Sequence, residues 1–446
     1  MTPTTAMAVA LLLGQTGADG APPPVSQEAQ PTLPADATGP VLTLDEALRL
    51  AGERNLELQA LAAQLDQAEE ISWKALSGYL PSVVASGRVQ RQKELTAEVI
   101  PGSPFVVQGA TEKAAQIEAT QMLVSPRLFF AISGANRSER AAVLDLENGR
   151  RQVLFGVARA YYAAASLKEA TGVSERLLEI ARRQERDARI RYEAGAIAKV
   201  GLIRAQIDRA RAEEDVRRAR AQYLSAKVAL AALLARDTAF EVEPPPEPTL
   251  PASELDALVT QAVRARPDVE AAREQIAAQR AARSSVLSRY LPDVSGFARW
   301  GWQDTEGFAG GEGDSWVIGI QGQWTLLDGF LRESDLREAN ARVAESRARA
   351  EGAVVRVRQE VTQALLDLES ARSNAAKARE QRDLAAENQR LVDVAFRAGT
   401  ATPVEQADAV AQLRNAEILL NTERLNTQLA SLNVLNAIGS FNPRAQ

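Results

Sequence analysis

One short turn is written twice in this chain. At Arg191-Tyr192-Glu193-Ala194-Gly195 a long Arg/Ala-rich stretch of helical periodicity stops at a glycine, and at Ala395-Phe396-Arg397-Ala398-Gly399 it does so again. Glycine turns a chain out of a helix through the left-handed region at no steric cost. The pattern predicts two long helical hairpins, with a second helix starting about seven residues beyond each glycine. If the hairpins lie side by side, both tips share one end of the molecule and act as a pair.

The rest of the chain repeats with the turns. Tyr79-Leu80-Pro81-Ser82-Val83 returns as Tyr290-Leu291-Pro292-Asp293-Val294, an offset of 211 (79 to 290), while the tip glycines are 204 apart (195 to 399). The difference predicts a shorter strand-joining loop in the second copy. A chain of 446 residues could hold two or three domains, but the repeat points to one body built twice. The expected organisation is a signal peptide over 1–21, a Pro-rich leader over 22–42, a first repeat over 43–240, a Pro-rich linker over 241–252, a second repeat over 253–439 and a tail over 440–446.

Each repeat reads as helix, strand pair, long hairpin. Thr43 followed by Glu46 is a capping box that opens a helix running to Ser77, and Ser253 with Asp256 opens its counterpart. Beyond Pro81 the period changes from helical to alternating. Over 82–90 the residues Val83, Ala85, Gly87 and Val89 share a face, and over 115–123 Ala115, Ile117, Ala119 and Leu123 do. The second pair carries the stronger pattern: Trp316, Ile318, Ile320 and Trp324 on one face, Val317, Gly319, Gln321 and Gln323 on the other, with Trp300 and Trp302 sharing a face on the preceding strand. Apolar faces ended by aromatics suit a strand between lipid and water. A half-buried sheet of a soluble protein fits each strand taken singly.

After Pro126 a helix of about 65 residues, roughly 95 Å, is followed by one of about 38, roughly 57 Å. The shorter cannot cover the longer unless the helix over 43–77 stacks on its end. In the second repeat Val354, Val357, Val361, Ala364, Leu368, Ala371, Ala375 and Ala378 form a coiled-coil seam whose alanines allow close helix approach.

Composition removes whole classes of chemistry. The chain has no Cys and no His, so thiolate nucleophiles, disulfides, imidazole catalysis and the usual zinc and copper ligand sets are excluded. No catalytic residue, metal site or cofactor is expected, and the net charge of -6 gives no pull on nucleic acid. Residues 6–13 look like the core of a secretory signal, without the basic residue that usually precedes one. No stretch is long and apolar enough for a membrane helix, so any span must be made of strands. Four strands cannot close a barrel, and an open edge in lipid leaves backbone groups unpaired. Two copies would give eight strands and three would give twelve.

The order of helix, "YLP" strand, strand, long helix, "RYEAG" tip and helix, repeated as "RYLPDV" and "FRAG", resembles the TolC-type outer-membrane efflux proteins from Val41 to Gly439. The resemblance implies a mixed α/β membrane protein: a homotrimer with a shared twelve-stranded transmembrane β-barrel, four strands per chain, continued by a long coiled-coil α-helical barrel through the periplasm. It implies an exit duct of a tripartite efflux or type I secretion system, sited in the outer membrane. Gly195, Ala196, Gly399 and Thr400 would then be the small tips that meet a periplasmic adaptor serving an inner-membrane transporter. Trp316, Ile318, Ile320 and Trp324 would face outer-membrane lipid. The alternative is a soluble periplasmic coiled-coil scaffold or adaptor.

In the resembled family acidic residues beyond the second tip ring the entrance, and Glu405 and Asp408 match them, three apart on one helix face. Glu405 also stands where a capping box from Thr402 would use it. The first repeat departs from the pattern: Gly201 and Arg204 occupy the equivalent positions, and Ala401 stands where a basic residue is frequent. Arg204 either pairs with Asp408 or Glu405 across hairpins or makes an ordinary i,i+4 pair with Asp208. Gly307, Gly310, Gly311 and Gly313 lie between strands with no helix after them, which reads as an outer loop rather than a phosphate-binding one.

Overall fold

A computed structural model describes residues 39–251, 254–305 and 311–441. The signal peptide, the leader up to residue 38, the Ser253 cap, Gly307, Gly310 and residues 442–446 of the tail lie outside the described residues.

The first repeat opens with β1 (Val41–Leu42), α1 (Leu44–Arg54) and α2 (Leu56–Ser77). Thr43 caps α1 by accepting from the Glu46 amide at 3.3 Å. The single helix expected over 43–77 is two, because Asn55 interrupts it. Its Oδ1 accepts from the amides of Glu57 and Leu58, at 2.9 and 3.3 Å, so the chain is capped afresh instead of continuing. The long strands of this repeat are β2 (Ser82–Arg91) and, after a hairpin of β3 (Leu95–Ile100) and β4 (Ser103–Gln108), β5 (Thr111–Val124). The sequence reading left the stretch between β2 and β5 as a loop. Pro101-Gly102, with Gly102 at φ +84°, makes it a hairpin.

Then come α3 (Pro126–Glu193), 68 residues and about 100 Å long, and α4 (Lys199–Leu233), 35 residues and about 53 Å. Beyond α4 lies β6 (Glu241–Val242), which pairs in parallel with β1, so the end of the leader and the start of the linker are structured against each other.

The second repeat follows the same order: α5 (Leu255–Ala265), α6 (Pro267–Leu287), β7 (Asp293–Thr305), β8 (Gly311–Gln323), α7 (Leu331–Arg397) and α8 (Pro403–Ala437). Glu254, without a side-chain cap bond, precedes α5, so no capping box is made there among the described residues. Here the break falls at Arg266, and Pro267, which has no N–H to lose, starts α6.

Both hairpin arms are lengthened as the mismatch required. The Asn55 Nδ2 at the start of α2 donates to the carbonyl of Leu233, the last residue of α4, at 2.9 Å. Arg266 at the start of α6 donates to the carbonyl of Ala437, the last residue of α8, at 3.4 Å. Each short helix thus stacks on the end of the shorter arm and runs along the long one. The seam of α7 buries Val357, Val361, Ala364, Leu368, Ala371 and Ala378, but at its start Ala353 is buried in place of Val354. A helix of 3.6 residues per turn drifts against a 3.5-residue repeat, and the seam slips by one position.

Two larger cores sit midway along the helices. One gathers Leu42, Leu48, Tyr161, Tyr162, Leu230 and Phe240, and the other Leu258, Val269, Val357, Val361, Val434 and Ile438. The Tyr161 hydroxyl lies 2.7 Å from the Leu42 carbonyl and 2.9 Å from that of Glu243, which fastens β1 and the linker to α3. Burial pushes this phenol up to about 12, so it stays a donor throughout the physiological range.

Candidate functional site

The two tips are built alike. Gly195 and Gly399 take φ of +72° and +77°, and Ala196 and Thr400 donate back to the Arg191 and Ala395 carbonyls at 2.8 and 2.9 Å. These reversed bonds close the last helical turn and force the chain around. The next helix starts four residues beyond each glycine (195 to 199, 399 to 403), a tighter turn than the spacing suggested.

The tips also touch. The Arg191 guanidinium of the first lies 4.5 Å over the Phe396 ring of the second, and deeper in Arg414 of α8 pairs with Asp215 of α4 at 3.2 Å. Both hairpins therefore end together. Neither contact was foreseen, since nothing in sequence places position 191 beside 396.

Around the second tip the acids have different duties. Glu405 completes a capping box: its amide donates to the Thr402 hydroxyl at 3.3 Å and its carboxylate accepts from the Thr402 amide at 2.7 Å. The backbone N–H and the hydroxyl of Thr402 hold this carboxyl below the usual glutamate value. Asp408, one turn on, is exposed and makes no hydrogen bond or ion pair among the described residues. Asp393, which sequence reasoning passed over, pairs with Arg397 at 2.9 Å and accepts from the Gln406 amide at 2.7 Å, tying α7 to α8. Its i,i+4 spacing to Arg397 was the available signal.

The first tip lacks this equipment. Ala198 precedes α4 without a side-chain cap, and a Cβ at Gly201 would meet Ile197 Cδ1 at 3.3 Å. Arg204 is exposed and makes no ion pair among the described residues, with Asp208 or with either acid beyond the second tip.

At the other end the four long strands form one antiparallel sheet in the order β2-β5-β7-β8. Ala85, Ile117, Trp300 and Trp316 lie opposite one another in register, as do Val83, Ala119, Ala298 and Ile318. Strand alternation puts both rows on one face. Trp316, Ile318 and Ile320 are each more than 70% exposed, an apolar surface that nothing among the described residues covers. The opposite face carries Arg88, Glu112, Glu118 and Arg299, paired as Arg88–Glu112 and Arg299–Glu118 at 3.2 Å each. Trp324 falls one residue beyond β8, and its indole donates to the Tyr290 carbonyl at 3.1 Å, so it marks the base of the sheet rather than its wall. β2 and β8 each have a partner on one side only. Among the described residues no helix is long and apolar enough to cross a membrane, and no acid cluster is arranged to hold a metal ion.

Comparison with known proteins gives a consistent set. A family model described as outer membrane efflux protein matches residues 47–236 and 258–440. The cobalt-zinc-cadmium resistance protein CzcC of Cupriavidus metallidurans is 26% identical over 270 residues, 59% of this chain; the match spans 59% of that relative, less than two thirds of its length. Among solved structures, CusC superposes with a TM-score of 0.77 at 15% identity, covering 89% of this chain and 92% of that one. The outer membrane protein VceC of Vibrio cholerae gives 0.73 at 20%, covering 89% and 96%. The open MtrE outer membrane channel of Neisseria gonorrhoeae gives 0.73 at 19%, covering 90% of each. At these identities the structures establish a shared fold.

Proposed function

The chain belongs to the outer membrane efflux protein family, and on that premise we propose that it is the outer-membrane exit duct of a tripartite efflux or type I secretion assembly. Three copies close a barrel of twelve strands, and their hairpins continue it as a helical tube through the periplasm. The observation that carries this reading is the four-stranded sheet: uncovered aromatics and aliphatics on one face, ion pairs on the other, and an unpaired edge on each side. In lipid those edges must be satisfied by other copies. A soluble periplasmic scaffold or adaptor has no use for such a sheet.

The duct conducts passively. At its periplasmic end the small tip residues Gly195, Ala196, Gly399 and Thr400 leave room for the helices of an adaptor, which brings cargo from an inner-membrane transporter. Asp408, without a partner in its own chain among the described residues, is the principal gate acid, and Glu405, held ionised by its cap, adds a second ring of charge. Six carboxylates near one narrowing favour cations and oppose anions. Arg204 of one hairpin meets Asp408 of a neighbouring copy and holds the mouth narrow. The relative CzcC is named for cobalt, zinc and cadmium resistance; with no His or Cys, this chain would pass such ions by charge attraction rather than by coordination to nitrogen or sulfur.

The test is the mass of the detergent-extracted protein, corrected for bound detergent, followed by single-channel recording. A trimer that conducts, loses cation preference in Asp408→Ala and opens more readily in Arg204→Ala is expected. A monomer recovered without detergent would sink the barrel, and an Arg204→Ala channel with wild-type conductance would remove Arg204 from the gate.

A further inference from the structure

Midway along the helices the linker forms a strap. It leaves the first core at Val242, whose carbonyl accepts from Lys168 at 2.9 Å, and is pinned again where the Tyr162 hydroxyl donates to the Pro246 carbonyl at 2.6 Å. It reaches the second core at Leu250. Between these points Pro244, Pro245 and Pro248 pass over α8, from the α3 side to the α7 side, and enclose a cleft of about 600 Å³. That volume lies within the range of built ligand sites. The strap is proline-rich, hydrogen-bonded at Val242 and Pro246 and packed on the second core at Leu250, which makes it a stiff wall of the cleft.

The charges in the cleft run against the rest of the chain. Although the protein carries a net charge of -6, the walls present Lys168, Arg372, Arg379 and Arg424 against the carboxylates Glu169 and Glu247. Lys168 is engaged by Glu241 at 2.9 Å and Arg424 by Glu169 at 3.4 Å. Arg372 and Arg379, both exposed, make no ion pair or hydrogen bond among the described residues, nor does the half-buried amide of Gln428 in the same lining. Two planar guanidinium groups with open donors are suited to carboxylates.

Their spacing narrows the ligand. Seven residues, about two turns of one helix, put the two arginines on one face about 10.5 Å apart, and three residues of a polyproline II segment rise about 9 Å and bring a side chain back to the same side. The prolines and Leu425 supply an apolar wall for the intervening residues. We infer that this cleft is a docking site for an extended acidic peptide segment of a periplasmic partner, with carboxylates three positions apart on Arg372 and Arg379 and its backbone against Gln428. Only the periplasmic placement rests on the duct reading, and conductance of the same preparations tests that reading separately.

The probe is a fluorescein-labelled pentapeptide, Glu-Ala-Ala-Glu-Ala, titrated with the detergent-solubilised full-length protein and read by anisotropy. The double variant Arg372→Gln/Arg379→Gln is expected to bind about tenfold more weakly or worse, as is the Gln-for-Glu peptide with wild-type protein. Arg342→Gln/Arg349→Gln, the same spacing on the same helix outside the cleft, is expected to leave binding unchanged. Wild-type affinity in the double variant would overturn the inference. So would an equal loss in the control pair, which means diffuse surface charge, or displacement by inorganic phosphate as effective as by unlabelled peptide, which means a simple anion site. If the double variant fails to fold by circular dichroism, each single substitution is measured instead, and either must weaken binding several-fold.

Discussion

Where a short helix stacks on the end of a hairpin arm, the first repeat places Asn55 and the second places Arg266. Asn55 works as a neutral splice: one amide caps the new helix and reaches the last carbonyl of the old one. Arg266 works as an ionic splice. It is buried, makes a two-point pair with Asp268 at 3.0 and 2.7 Å, bridges to Glu360 on α7 and donates to Ala437. The tips differ in the same sense, since α8 begins with a full capping box and α4 with an uncapped Ala198. Duplicated architecture has kept the shape of each joint and exchanged the chemistry that makes it.

The largest effect should come from removing the ionic splice. Arg266→Ala strands Asp268 and Glu360 beside a freed carbonyl and is expected to cost about 3 kcal/mol, the low end for a broken buried pair because both acids keep some solvent. Asn55→Ala loses a cap and one long-range hydrogen bond, about 2 kcal/mol. Denaturant unfolding of the solubilised protein compares them; equal costs would erase the distinction between the splices.

Acid should separate the two further. Burial opposes ionisation of Asp268, but the hydrogen bonds and charge of Arg266 outweigh it and hold its carboxyl below the usual value. A depressed carboxyl contributes stability that is complete above its unfolded pKa, about 3.9, and is lost as pH falls through the lower folded value. Wild-type melting temperature should therefore drop below pH 4 by more than that of Asp268→Asn, while Asn55→Ala keeps the wild-type acid response. A parallel fall in all three would place the acid sensitivity elsewhere.

The tips should respond to exchange of their caps. Thr402→Ala is expected to cost about 1 kcal/mol. Ala198→Ser, at a residue already in extended backbone with φ -70° and ψ 154°, should gain about 0.5 kcal/mol by receiving the amide of Val200, since that of Gly201 already donates to the Ala198 carbonyl at 2.9 Å. Proteolysis at the tips, faster in Thr402→Ala and slower in Ala198→Ser, reports both. Equally small, Arg191→Ala removes the stacking on Phe396, about 0.5 kcal/mol at so exposed a place, and should show as greater conductance noise rather than as lost stability.

Much of this plan was legible in the chain because it rests on local rules stated twice. The tip glycines, the four alternating strands and the length mismatch that demanded end-to-end stacking each follow from periodicity and from residues that permit few conformations. The break at Asn55 was missed because asparagine is a weak punctuator inside a helical pattern, although its amide competes well for two free N–H groups once Leu233 gives the other end a partner. The hairpin between β2 and β5 hid in a polar stretch with little alternation. The Arg191–Phe396 contact, the strap and its placement beside the Arg372 and Arg379 guanidinium groups depend on residues far apart in sequence, and no local pattern records them.

The bare flanks of the β2-β5-β7-β8 sheet set a rule on timing as well as on form. A single chain that met the bilayer alone would drag two rows of unsatisfied amides and carbonyls into hydrocarbon, so one chain by itself gains nothing by inserting. On the proposed barrel of several copies, insertion would be steep in chain concentration, and a fault in the edge of any one copy would be shared by its companions.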